Sequence, residues 1–169
     1  MIPLDFIQKY PFFSFLNHDQ QKSIAEISEE VQFAPKAIIY KEKERADWLY
    51  ILVSGNVDRF FTVNVEYHPE QNKEIIYGEV IPGEMFGILA LIEPRIHSSS
   101  ARASNHCEMV RIDAVRLLEL FEKDDSLAYD FMKQATKTIE KRLNMTLEQL
   151  ASVWTFPQEK IIPFNKEAE

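Results

Sequence analysis

Between about Glu30 and Asp113 the chain is cut into short β-prone runs that leave no room for a long helix. They span 31–33, 37–41, 48–53, 57–65, 74–81, 99–103 and 109–112, and recur at intervals of roughly ten residues. Turn formers separate several of them: Ser54-Gly55-Asn56, Pro82-Gly83 and Ser104-Asn105. Regular short strands with such punctuation predict a closed or double-sheet β fold, for example a jelly roll. The polar stretch 67–73, with Pro69, reads as an exposed hairpin loop.

The flanks carry a different period. Asn17 followed by Gln20 has the form of a capping box, and Ile24, Ile27 and Val31 follow at helical spacing. The aromatic cluster Pro11-Phe12-Phe13-Ser14-Phe15-Leu16 is expected to pack on a core. After Asp113, the residues Val115, Leu117, Leu118, Leu120 and Phe121 make a short helix, and Asp124-Asp125-Ser126 caps a long one. Its apolar stripe runs Leu127, Phe131, Ala135, Ile139, Leu143, Leu147, Leu150 and Trp154. A helix of this length has apolar surface to spare, and packing on a second copy of itself, as a homodimer from Leu127 to Trp154, is its expected use. The alternative is that it lies wholly on its own β domain. The organisation expected is an N-terminal helical segment (1–28), a β-roll (29–113), C-terminal helices (114–154) and a tail or linker (155–169).

Charge narrows the function. Of 169 residues, 19 are Lys or Arg and 27 are Asp or Glu, a net charge of −8. Phosphate neutralisation supplies most nucleic-acid affinity, so this balance argues against nucleic acid as a partner. No apolar run approaches the roughly 20 residues of a membrane span, and the first residues lack a basic signal region. One cysteine, Cys107, permits no internal disulfide and fits an inert buried thiol. A cytoplasmic location is expected.

Signatures of catalysis are scarce. There is no phosphate-binding P-loop, HExxH, GxSxG or CxxC motif, and the four histidines are well separated, so neither an enzyme nor a metal site is expected. The four glycines say more. Gly83 and Gly87 bracket Pro82-Gly83-Glu84-Met85-Phe86-Gly87-Ile88-Leu89-Ala90, which reads as a turn, a short strand and one turn of helix opened by Gly. Such a helix start presents amides to an anion. Ser98-Ser99-Ser100 adds hydroxyls, with Arg95, His97 and Arg102 around them. A polar loop on a sheet rim is the other reading of these residues.

The segment Tyr50-Ile51-Leu52-Val53-Ser54-Gly55-Asn56-Val57, the segment Pro82-Gly83-Glu84-Met85-Phe86-Gly87, and the span from Phe86 to Ala103 carry a resemblance. From about Phe15 to Trp154 the chain resembles the cyclic-nucleotide-binding domain family, and 86–103 matches that family's phosphate-binding cassette without a gap. The resemblance implies an α+β, mainly β fold: an N-terminal helical segment, an eight-stranded jelly-roll β-barrel with a short helix in the cassette, and a long C-terminal helix. It implies a candidate pocket of Phe86, Gly87, Ile88, Leu89, Ala90, His97, Ser98, Ser99 and Thr146, with the amides of Ala90 and Ser98 toward the phosphate. Thr146 aligns with one of two helix residues that read adenine in bacterial members.

Two positions depart from the family's pattern. Ile88 stands where a Glu grips the ribose, and His97 stands where an Arg meets the cyclic phosphate. A hydrogen bond to a charged group is worth roughly 1.5–3 kcal/mol, so the two losses remove on the order of 10²–10⁴ in affinity. A protonated His97, or a swing of Arg95 or Arg102, would restore part of it.

Two functions follow. One is a non-enzymatic regulatory domain sensing cAMP, cGMP or a related anion, with no further cofactor, read out by a downstream protein or fused output domain. The other is a ligand-independent dimerisation or protein-interaction module. The 155–169 stretch is expected to be too short and proline-broken for a helix-turn-helix.

Overall fold

The computed structural model describes residues 2–63 and 73–153. The N-terminal segment folds as α1 (Leu4–Lys9), a 3₁₀ turn (Pro11–Phe15) and α2 (His18–Glu26). The capping box is made in full: the Gln20 amide nitrogen donates to Asn17 Oδ1 at 3.0 Å, and the Asn17 amide donates to Gln20 Oε1 at 3.1 Å. Val31 carries two signals in the sequence, the end of a helical spacing and the start of the β-prone run 31–33, and the strand signal prevails. The helix stops at Glu26 and Val31 lies in a strand opposite Met109, because β pairing overrides a three-point periodicity. The aromatic cluster does pack on the core, with Phe13 fully buried and Phe15 edge-on to Phe131 at 5.4 Å.

Eight strands follow among the described residues: β1 (Ser28–Phe33), β2 (Ile38–Tyr40), β3 (Trp48–Ser54), β4 (Val57–Val63), β5 (Lys73–Val80), β6 (Met85–Phe86), β7 (Ser100–Ala103) and β8 (Cys107–Asp113). They form two antiparallel four-stranded sheets, ordered β1-β8-β3-β6 and β2-β7-β4-β5. The chain passes repeatedly from one sheet to the other, which is the double-sheet jelly-roll arrangement expected. The last residues of the 57–65 run, the loop at 67–73 apart from Lys73, Trp154 and the 155–169 stretch lie outside the described residues.

Strand β3 is buried on both faces. Leu49 and Ile51 enter a core with Phe13, Ile24, Leu117 and Phe131, while Tyr50 and Leu52 enter a second core with Val57, Phe86 and Met109. In β8, Cys107 is fully buried and its Sγ donates to the Asn56 carbonyl at 3.1 Å; burial pushes its thiol pKa up, as an inert thiol requires.

Two helices close the chain, α3 (Ala114–Phe121) and α4 (Asp125–Val153). Asp124 starts α4, accepting from the Leu127 amide at 2.9 Å and from Gln20 Nε2 at 2.9 Å. Leu127, Phe131 and Ala135 are buried against the domain, whereas Leu143, Leu147 and Leu150 are each more than half exposed. The helix is therefore packed tightly on its own domain only as far as Ala135, keeps polar ties to it at Lys141 and Arg142, and is exposed beyond Thr146. Among the described residues no helix is long and apolar enough to cross a membrane.

Asp124 joins the N-terminal segment to α4, so Asp124→Ala should cost about 1 kcal/mol in urea unfolding, as for other helix caps. The Gln20 side chain first, and the Leu127 amide second, hold its carboxyl below the ordinary 3.8. The contribution should be complete above that pH and vanish as pH falls through the lower folded value, a slope that Asp124→Ala removes.

Candidate functional site: a cavity beneath the long helix

Sheet β2-β7-β4-β5, the segment after β6 and the middle of α4 border an open cavity of about 370 Å³, a size that suits a small-molecule site. Its floor depends on one glycine. Gly87 ends β6 with φ +73°, and a Cβ there would fall 2.9 Å from the Trp48 carbonyl oxygen and 3.0 Å from the Tyr50 ring. Only glycine tolerates both the left-handed backbone and the close approach. The chain then enters the predicted single helical turn, a 3₁₀ turn at Ile88–Leu91.

Most of the expected residues meet here. Gly87, Ile88, Leu89, His97, Ser98, Ser99 and Thr146 line the cavity. Phe86 and Ala90 are fully buried and stand behind the wall; Phe86 stacks on Tyr50 at 5.0 Å, and the Ala90 amide donates to the Gly87 carbonyl at 3.0 Å. That amide is engaged within the turn instead of being presented to an anion.

His97 is buried and lies flat on Tyr40, ring centroids 3.7 Å apart and planes 4° apart. Desolvation lowers its pKa, against a smaller opposing pull from Glu44 and Asp47. Burial thus favours the neutral imidazole in the free chain, and a protonated role would have to be driven by a bound anion. Neither sequence alternative replaces it: Arg95 pairs with Glu93 at 3.1 Å, and Arg102 pairs with Glu74 at 2.6 Å.

The cationic groups of the cavity are two residues that the sequence reading passed over, Arg59 on β4 and Arg142 on α4. The Arg59 guanidinium lies over the Tyr77 ring at 4.9 Å and over Gly78, where a Cβ would fall 2.5 Å from Nη2. Tyr77 shares a 2.7 Å hydrogen bond with Ser99. Arg142 Nη2 donates to the Met85 carbonyl at 2.5 Å, and its neighbour Lys141 pairs with Glu84, so α4 is tied across the cavity to the start of β6. Burial first, and the charge of Arg59 second, lower the Arg142 pKa to about 10. The guanidinium stays charged at neutral pH. Two signals pointed this way: Arg59 is two residues from the buried Val57 on one strand, and Arg142 is one helical turn before Thr146.

Residues 30–124 match the cyclic nucleotide-binding domain family. The chain belongs to that family. A cyclic nucleotide-binding protein from Geobacter metallireducens is 34% identical, with a TM-score of 0.70 over 85% of this chain and 99% of that one. The cAMP-activated global transcriptional regulator Vfr of Pseudomonas aeruginosa is 25% identical over 114 residues, and the cAMP-dependent protein kinase regulatory subunit of Dictyostelium discoideum is 24% identical over 117. The matches cover 65% and 69% of this chain but only 50% and 35% of those two relatives. In this chain the cavity sits between the 3₁₀ turn and α4, and its apolar wall is formed by Ile88, Leu89, Ile139 and Leu143.

The depressed His97 pKa has a sign. The unfolded imidazole takes up protons first, so stability should be complete above the ordinary 6.5 and be lost as pH falls toward the lower folded value. Thermal melting from pH 7.5 to 5 should show the loss, and His97→Phe, which keeps the stack on Tyr40, should flatten it.

Proposed function

We propose that the chain is a non-enzymatic, cytoplasmic regulatory domain that senses a cyclic nucleotide or a related anionic ligand in the cavity under α4. Charge carries this reading. In a chain of net charge −8, the cavity walls hold two arginines and, among the described residues, no Asp or Glu. The apolar side chains beside them suit a base or sugar, and Thr146 offers a hydroxyl from α4. Because Arg142 and Thr146 belong to the helix and Ser98 and Ser99 to the cassette, a ligand touching both has a different affinity for the docked and displaced helix. That difference is what a sensor needs. The readout passes to a partner, an output domain or a second copy.

Calorimetric titration with cAMP and cGMP tests the reading. Binding at about micromolar affinity is the expected result. No heat at millimolar nucleotide would overturn the cyclic-nucleotide assignment and favour the second reading, a ligand-independent interaction module. That reading draws on Lys141–Glu84 and Arg142–Met85, bonds within the chain that hold α4 in place.

The second copy docks, in this proposal, on the bare half of α4. Leu147 and Leu150 continue the apolar stripe past the cavity and are 52% and 56% exposed, whereas Ile139 and Leu143 line the cavity itself. Leu147→Arg with Leu150→Arg should therefore give a folded monomer by light scattering from a dimeric parent. A monomeric parent, or an unchanged mass in the variant, would exclude this interface.

A further inference from the structure

We propose that Arg59 and Arg142 together receive the anionic group of the ligand, and that this pair selects a terminal phosphate dianion, as in a nucleoside 5′-monophosphate, over the monoanionic cyclic diester. The proposal rests on the reading that the cavity takes an anionic nucleotide.

The first observation is the contrast among arginines. Arg45, Arg95, Arg102 and Arg111 each have a carboxylate within salt-bridge distance, and Arg116 caps the Glu26 carbonyl at the surface. Arg59 and Arg142 have no carboxylate partner among the described residues, and the Nε of each is buried without a hydrogen-bond acceptor. Glu84, the carboxylate whose charge favours the Arg142 guanidinium, is already paired with Lys141. A part-buried cation without a contacting carboxylate is costly, the more so where a second one repels it. The chain nonetheless makes room for them, with a glycine at position 78 beneath Arg59 and the Met85 carbonyl fixing Arg142.

The second observation is the count of charge. Among the described residues the cavity walls carry two guanidiniums, a His97 whose pKa burial lowers, and no carboxylate. A cyclic phosphodiester brings one negative charge and leaves one guanidinium uncompensated. A phosphate monoester brings close to two at neutral pH, with three terminal oxygens for planar, forked donors. A cavity of about 370 Å³ matches one nucleotide better than two.

The test is calorimetric titration of the whole chain with 5′-AMP, 5′-GMP, cAMP, cGMP, adenosine and inorganic pyrophosphate, repeated on Arg59→Met, Arg59→Lys and Arg142→Met after each is checked for folding by thermal melting. The 5′-monophosphates should bind about tenfold or more tightly than the cyclic forms, and adenosine far more weakly than either. Each Met substitution should lower monophosphate affinity about tenfold or more and bring the two nucleotide classes together, with Arg59→Lys restoring part of the preference. Should Arg59→Met not fold, Arg142→Met decides on the same criteria. Cyclic nucleotides binding as tightly as the monophosphates would overturn the dianion preference and leave the proposed function standing. Variants that bind like the parent would overturn the arginine pair. Pyrophosphate binding without any nucleotide binding would uphold the pair and overturn the nucleotide reading, while binding of none of the probes would overturn both.

Discussion

Everything in this domain hangs on β3. Its residues alternate between two cores, Leu49 and Ile51 toward the helices and Tyr50 and Leu52 into the space between the sheets, and it pairs with β8 on one side and β6 on the other. Tyr50 and the Trp48 carbonyl also form the surface on which Gly87 sits. The strand that builds the fold therefore also fixes the height and angle at which the cassette begins. A volume change in β3 would be felt at the cavity through a single contact.

The cavity reconciles two demands that usually conflict. It is walled by apolar side chains from the cassette turn and α4, yet it holds two charged guanidiniums. Aromatic faces and a carbonyl steady those groups without cancelling their charge: Tyr77 beneath Arg59, and Met85 against Arg142. The low local dielectric that makes them costly also strengthens their attraction to an anion. His97, by contrast, has been turned into a structural ring, stacked on Tyr40 and favoured in its neutral form by burial.

Much of this was legible in the sequence, and the parts that were not share a cause. Strands showed because turn formers interrupt them, and the caps at Asn17 and Asp124 showed because capping is local chemistry read within a few residues. The cassette turn showed because only glycine fits at position 87. At Val31 two local signals compete, a helical spacing from Ile24 and Ile27 and the β-prone run 31–33, and pairing with a strand almost eighty positions away decides for the strand. Arg59 and Arg142 were overlooked for a related reason. Each looks like an ordinary surface charge within its own element, and only the packing of α4 over β4 brings them to one cavity. The arginines nearer the cassette drew attention by sequence proximity and are spent on Glu93 and Glu74.

The half-docked state of α4 carries a mechanical consequence. Leu127, Phe131 and Ala135 clamp one end of a 29-residue rod, and the cavity and the latch of Lys141 on Glu84 and Arg142 on Met85 lie just past that clamp. The turns after Thr146 are exposed, so the rod pivots only when the latch lets go. From Ala135 to Leu150 the axis advances about 22 Å at 1.5 Å per residue. The cavity thus pushes on a lever close to its fulcrum. A tilt of about 10° would displace the contacting side chains near Ile139 by about 1 Å and the distal turn by roughly 4 Å, by the same rise. Whatever grips the far end of the helix receives the event enlarged, and the domain needs no rearrangement of its sheets to send it.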